Sequence, residues 1–245
     1  MSSLNAVALL SAWEEGVSRP LIGRALALLE HARPDRSAEQ WAEASIGERD
    51  EQLLELREEL FGSDFQTTAV CPKCGERLEL TFSAADVRAS AGRLTGRDEK
   101  LQVNAFGYEV SCRLPTSADL LEIATFGAED ARKRLLKLCV EAAHTGGVAV
   151  DSGALPDEVV KALSEEMSRM DPQADVRISL ACPACLHGWN IAFDILTYLW
   201  SEIEDWAERL LLEVHTLASA YGWSERDIIS MSAIRRRLYL DMIGA

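Results

Sequence analysis

The sequence predicts an α+β fold with helices at both ends and two short β-hairpins placed far apart in the chain. Three observations predict it. The stretches CPKCGERLELTF (71–82) and CPACLHGWNIAF (182–193) repeat one pattern of two cysteines followed by alternating apolar residues. The segments outside them carry apolar residues at three- and four-residue steps, the period of a helix packed on one side. About a hundred residues between them mix strand-like and helix-like stretches, so a small unit sits between the halves of one motif.

Residues 4–62 read as short helices. LNAVALLSAW and PLIGRALALLEHA have helical apolar spacing, and Pro20 suits a first helical turn. SAEQ (37–40) is a capping box, with Ser37 as N-cap and Gln40 reaching back. ERDEQLLELREELFG stops at Gly62. Trp13 and Trp41 are expected in the core. FQTTAV and VRISLA precede the two cysteine pairs, so each half reads as strand, Cys-Pro-x-Cys turn, strand. Leu78, Leu80 and Phe82 correspond to Trp189, Ile191 and Phe193 on one face of the outgoing strands.

Between the halves, SAADVRASAGRLTGRDEK (83–100) reads as loop and LQVNAFGYEVSCRLP as a hairpin turning at Asn104–Gly107. TSADLLEIATFG is a short helix capped by Thr116 or Ser117. AEDARKRLLKLCVEAAH is an amphipathic helix, and TGGVAVDSGA a glycine-rich connector. LPDEVVKALSEEMSRMDP is a third helix, bracketed by Pro156 and Pro172. Cys112 and Cys139 are expected to be buried apolar residues. After the second pair a long helix carries Leu199, Ile203, Trp206, Leu210, Val214 and Leu217 at helical steps, and Gly222 breaks it. Ser224 with Asp227, then Ser232, cap two short helices, forming a terminal hook shaped to clasp a partner. The expected divisions are 1–62 (N-terminal helices), 63–98 (first half-motif and loop), 99–173 (inserted α+β unit), 174–195 (second half-motif) and 196–245 (C-terminal helices).

Composition narrows the function. The 245 residues carry a formal net charge of -15, and 48% are hydrophobic, enough for a sizeable core. The acidic balance argues against sequence-independent nucleic-acid binding, which relies on Lys and Arg at phosphates. No apolar run is long enough to span a bilayer, and the N-terminus lacks the basic and apolar regions of a signal peptide. A cytoplasmic protein with reduced thiols is expected, and six cysteines are too sparse for a disulfide scaffold.

Two Cys-x-x-Cys turns facing each other supply four thiolates, the usual closed zinc site, so Cys71, Cys74, Cys182 and Cys185 are the expected zinc ligands of a split zinc ribbon. Gly75 follows the first pair, where positive φ is easy; Leu186 takes that place in the second. His187 reads as a loop residue with four thiols already present. A thiol oxidoreductase is the redox alternative, but its single pair would open a helix, whereas each pair here precedes a strand. A zinc-ribbon nucleic-acid module is the other alternative, set against mixed charges (Lys73, Arg77, Glu76, Glu79) near the first turn. The sequence holds no HExxH, nucleophile elbow or P-loop. Glu202, Glu204, Asp205 and Glu208 read as a solvated helix face, and His215 as a packed or partner-facing residue. No enzyme is expected.

CPKCGERLELTF, CRLPTSADLLEIA, MDPQADVRISLACPACLHGW and the tail EVHTLASAYGWSERDIISMSAIRRRLYLDMI together resemble the baseplate hub assembly proteins of T-even-type phages and of phage-tail-like contractile injection systems. The resemblance runs from about residue 50 onward and is most specific in the tail. It implies a non-enzymatic baseplate component or assembly chaperone, in the cytoplasm or in the tail particle, that works by contact with baseplate or hub proteins. It carries the four cysteines as zinc ligands. It also marks Glu213, His215, Tyr221, Trp223, Ser224, Arg235, Arg236, Arg237 and Tyr239 as the tail motif. Trp223, Arg235, Arg236, Arg237 and Tyr239 are the candidate partner-binding residues; the alternative is that the aromatics staple the terminal helices while the arginines answer the acidic helix.

Overall fold

The computed structural model describes residues 4–89 and 100–244. The chain divides into two compact units, Met1–Asp35 with Leu196–Ala245, and Arg36–Ile195.

In the first unit, α1 (Ala6–Val17) and α2 (Leu21–Ala32) form an N-terminal helix pair. Asn5 caps α1 by accepting the Ala8 N–H at 2.9 Å. The remaining helices of this unit come from the other end of the chain and are described with the tail below. The second unit begins with α3 (Ala38–Ala42), whose Ser37–Gln40 capping box forms as expected, and α4 (Ile46–Phe61). Helix α4 stops at Gly62, whose φ of 90° only glycine adopts easily, and the chain enters β1 (Asp64–Val70). Strand β2 (Arg77–Ser83) pairs antiparallel with β1. Trp41 is buried as expected.

Part of the stretch read as loop after β2 is ordered: α5 (Ala84–Val87) closes a capping box between Ser83 and Asp86. The 90–99 part of that reading lies outside the described residues. Strands β3 (Lys100–Ala105) and β4 (Tyr108–Arg113) form the expected hairpin, followed by α6 (Ser117–Ile123), capped by Thr116. Helix α7 (Ala128–Cys139) ends earlier than its sequence suggests. Val140–Thr145 is not the end of a helix but strand β5, which pairs with β4 and places Ala143 in the core. Nor is the glycine-rich stretch a simple connector: Gly146 and Gly147, both at positive φ, turn the chain into β6 (Val148–Ala149). The open edge of β4 and this two-residue turn together override the helical preference of the alanines. The resulting sheet has the order β3-β4-β5-β6, and α8 (Asp157–Met170) packs on it. Leu101, Val103, Val110, Cys112, Leu114, Val159 and Leu163 fill the interface. Cys112 and Cys139 are both buried, as expected of apolar thiols. A 3-10 turn (Pro172–Asp175) then leads into the second hairpin, β7 (Arg177–Ala181) and β8 (Gly188–Ala192).

A buried polar joint fixes where the two hairpins begin. The Asp171 carboxylate accepts the Gly47 N–H at 2.9 Å, so the 3-10 turn that leads into β7 lies against the first turn of α4, which leads into β1. A Cβ at Gly47 would stand 1.8 Å from Asp171 Oδ1, so the backbone approach requires glycine. Arg49, itself buried, donates to Asp50 at 2.7 Å and to Ser117 at 3.1 Å. Burial pushes the Asp50 carboxyl up to about 6 despite Arg49. Arg113 forks onto Asp119 at 2.6 and 2.7 Å, which orders the cap of α6. Gln173 ties the 3-10 turn to the end of α5: its Oε1 accepts the Ala89 N–H at 2.7 Å, and its Nε2 donates to the Val87 carbonyl at 3.2 Å.

The turn between β3 and β4 holds Phe106 at φ 52° while leaving it 71% exposed. A bulky side chain in the left-handed region is unfavourable by about 1 kcal/mol, whereas Asn tolerates that region and Asn-Gly is the preferred pair for this turn. Phe106→Asn is therefore expected to stabilise the chain by roughly 1 kcal/mol in urea denaturation, since no buried contact is lost.

Candidate metal centre

The two cysteine turns are built alike. In the first, the Cys71 N–H donates to the Glu76 carbonyl at 2.8 Å and the Gly75 N–H to the Cys71 carbonyl at 3.0 Å. In the second, the Cys182 N–H donates to the His187 carbonyl and the Leu186 N–H to the Cys182 carbonyl, both at 2.9 Å. Gly75 has φ 77°, and Leu186 takes the equivalent left-handed conformation at φ 58°. The leucine therefore does not alter the turn; it occupies, at some strain, the conformation that glycine adopts freely. These inward-folded turns aim both sulfurs of each pair to one side.

The four sulfurs meet. Cys71 Sγ lies 3.7 Å from Cys185 Sγ, Cys74 Sγ lies 3.6 Å from Cys182 Sγ, and all four lie within 4.8 Å of one another. A disulfide requires about 2.05 Å, so these are free thiols. A tetrahedral ion with metal–sulfur bonds of about 2.3 Å separates its sulfurs by about 3.8 Å. The observed spacings are close to that figure, and the all-sulfur donor set suits zinc. Among the described residues this is the one cluster of His, Cys, Asp and Glu able to hold a metal ion.

The first cysteine of each pair is buried and the second is more open. Desolvation raises the Cys71 thiol, but the backbone N–H groups of Cys74 and Lys73 and the neighbouring thiols of Cys74 and Cys185 bring it down to about 7. The His187 N–H favours a Cys185 thiolate; desolvation and the crowding of three other sulfurs outweigh it and push Cys185 up to about 12. Four thiolates cannot gather here without a cation to offset their charge. The His187 ring lies outside the cluster, stacked on Trp189 with centroids 6.0 Å apart.

At their far ends the hairpins are clamped by three phenylalanines. Phe65 on β1 stacks on its cross-strand partner Phe82 at 5.1 Å, and Phe193, just past β8, meets both edge-on at 5.5 Å. Arg57 of α4 lies 3.9 Å over the Phe65 ring and donates to the Gly62 carbonyl at 2.7 Å. The alternation read from the sequence is seen on both outgoing strands: Leu78, Leu80 and Phe82, like Trp189, Ile191 and Phe193, face inward and are half-buried. Phe82 and Phe193 were legible from the alignment of the half-motifs. Arg57, Gln173 and the Gly47–Asp171 contact were not, because no local pattern marks a long-range polar contact.

The tail residues belong to the first unit. Helix α9 (Ile195–Tyr221) turns Leu199, Ile203, Leu210, Val214 and Leu217 inward and half-buries Trp206. Gly222, at φ 68°, ends it, and α10 (Glu225–Ser230) and α11 (Ala233–Ile243) follow with Ser224 and Ser232 as N-caps. Trp13 and Leu10 of α1 join Ala207, Leu210, Ile228 and Leu240 in one cluster. Tyr221 stacks on Trp223 at 4.4 Å, and Tyr239 meets Trp223 edge-on at 4.9 Å, so the aromatics staple the end of α9 to α11. The three arginines part ways. Arg236 is buried, its Nε donating to Glu213 at 2.7 Å and a terminal nitrogen to the Met231 carbonyl at 2.8 Å. Arg235 and Arg237 are exposed, Arg235 lying 5.8 Å from the Tyr239 ring. His215 is exposed on α9. No helix of the described residues is long and apolar enough to cross a membrane.

Residues 30–198 match the protein family described as T4 bacteriophage base plate protein. The match spans more than half of the chain, and the chain belongs to that family of T4-type baseplate proteins. The matched residues include all four clustered cysteines and stop before the aromatic and arginine tail. No curated protein and no solved structure matches the chain.

Two expected outcomes follow from this geometry. Leu186→Gly relieves the left-handed strain of an 85% exposed side chain, so it should stabilise the chain by roughly 0.5–1 kcal/mol, read as a higher thermal midpoint with the sulfur cluster intact. Arg236→Ala strands Glu213 and should destabilise the chain by roughly 2 kcal/mol, while Arg235→Ala and Arg237→Ala stay within about 0.5 kcal/mol in the same denaturation assay.

Proposed function

We propose that this chain is a non-enzymatic component or assembly factor of a contractile-tail baseplate, acting by protein–protein contact and held in shape by a structural zinc ion. The observation that carries the reading is membership of the baseplate family across residues 30–198. In this reading Cys71, Cys74, Cys182 and Cys185 are the zinc ligands. Zinc would supply no reaction there, because four sulfur ligands leave no open position for water or substrate. Its contribution is to neutralise the gathered thiolates and fasten the two hairpins together.

The chain then reads as a split ribbon, 63–98 with 174–195, opened by an inserted α+β unit at 99–173 and flanked by helices at 1–62 and 196–245. The C-terminal hook is the contact surface. Trp223 and Tyr239 shape its edge, Arg236 braces it from within, and Arg235 and Arg237 offer charged side chains to a partner. The setting for such a protein is the cytoplasm during assembly, or the tail particle.

Two measurements test the reading. The purified chain should contain one zinc per molecule, and a strong chelator should lower its melting temperature and expose four thiols that a sulfhydryl reagent could not reach before. Thiols that react freely without chelator contradict the zinc assignment. Mass spectrometry should find the chain in purified contractile particles, or bound to a baseplate protein before assembly. Its absence from both contradicts the assembly role.

A further inference from the structure

Helix α11 is apolar on two opposite sides. Leu240 is buried with Ile228 and Ile229 of α10 and Leu210 of α9, and Arg236 reaches Glu213 of α9 from the same side. On the other side Ile234, Leu238 and Met242 are 77%, 55% and 73% exposed. Steps of four residues advance only about 40° around a helix, so these three form one ridge, about 12 Å long. Ridges of this spacing are the ones that interdigitate when two helices pack. The side holding Leu240 is covered, whereas among the described residues the ridge of Ile234, Leu238 and Met242 is left open.

The charges beside the ridge indicate what covers it. Arg237 and Asp241 lie along one flank, 74% and 53% exposed and paired at 3.1 Å. Arg235 stands exposed on the other flank; along the Arg237–Asp241 flank an acidic partner helix would meet Asp241 as well as Arg237, and a basic one the reverse. A second copy running antiparallel about a two-fold axis sets this flank against itself in reversed order, so each Arg237 comes beside the other copy's Asp241. We propose that α11 is a self-association surface, pairing with α11 of a second copy of this chain, with Ile234, Leu238 and Met242 at the centre. The proposal rests on the reading of the tail as a contact surface and is independent of which baseplate protein the chain meets. One short helix per copy buries less than a standard interface, so the dimer is weak, with a dissociation constant of roughly 10 µM to 1 mM.

Sedimentation equilibrium of the full chain across that range, at about 0.15 M salt, tests it. Wild type should show a reversible monomer–dimer equilibrium. Leu238→Asp should remain monomeric throughout with an unchanged thermal transition, because the side chain is exposed in the monomer. Arg237→Asp and Asp241→Arg should each weaken association about tenfold, and the double exchange should restore it. A monomer at every concentration, a dimer indifferent to Leu238→Asp, or single exchanges that the double does not rescue would each overturn the proposal. Particle mass spectrometry is unaffected by any of these outcomes, so the baseplate reading stands or falls separately.

Discussion

The meeting of two sulfur pairs more than a hundred residues apart is the constraint on which the architecture depends. Bringing such distant points together carries a loop-closure cost of about 4–5 kcal/mol. Each hairpin is a separate two-stranded sheet, a form that is marginal in water by itself. The pair persists because it is fastened at both ends. Phe65, Phe82 and Phe193 pack at one end, and Cys71, Cys74, Cys182 and Cys185 gather at the other. The proposed zinc would supply about 10–16 kcal/mol of apparent binding energy in a site of this kind, well above the cost of closing the loop.

The 3-10 turn before β7 is tied to the end of α5 and to the start of α4. Gln173 hydrogen-bonds to the backbone of Val87 and Ala89, and Asp171 to that of Gly47. The hairpins are therefore positioned by buried polar contacts before any metal is considered. Such contacts are strongly position-dependent, because an unmatched buried donor or carboxylate is unfavourable by several kcal/mol.

Much of this was legible in the sequence because it is local. The cysteine spacing, the alternation of Leu78, Leu80 and Phe82, and the caps at Ser37, Thr116, Ser224 and Ser232 each depend on residues a few positions apart. The repeated half-motif also pointed to the sulfur cluster, since each half lacks two ligands without the other. What escaped was set by distant partners. Val140–Thr145 looks helical until the edge of β4 is available to pair with it, and Leu186 looks like a departure until its φ shows the same turn as Gly75. The consecutive arginines of the tail look equivalent, yet helix geometry turns Arg236 inward to Glu213 and its neighbours outward.

The central claim is that all four cysteines bind one ion. X-ray absorption at the zinc edge of the purified, reduced chain tests it most directly. The account predicts a single shell of four sulfurs at about 2.3 Å. A first shell containing nitrogen or oxygen, or fewer than four sulfurs, would contradict it.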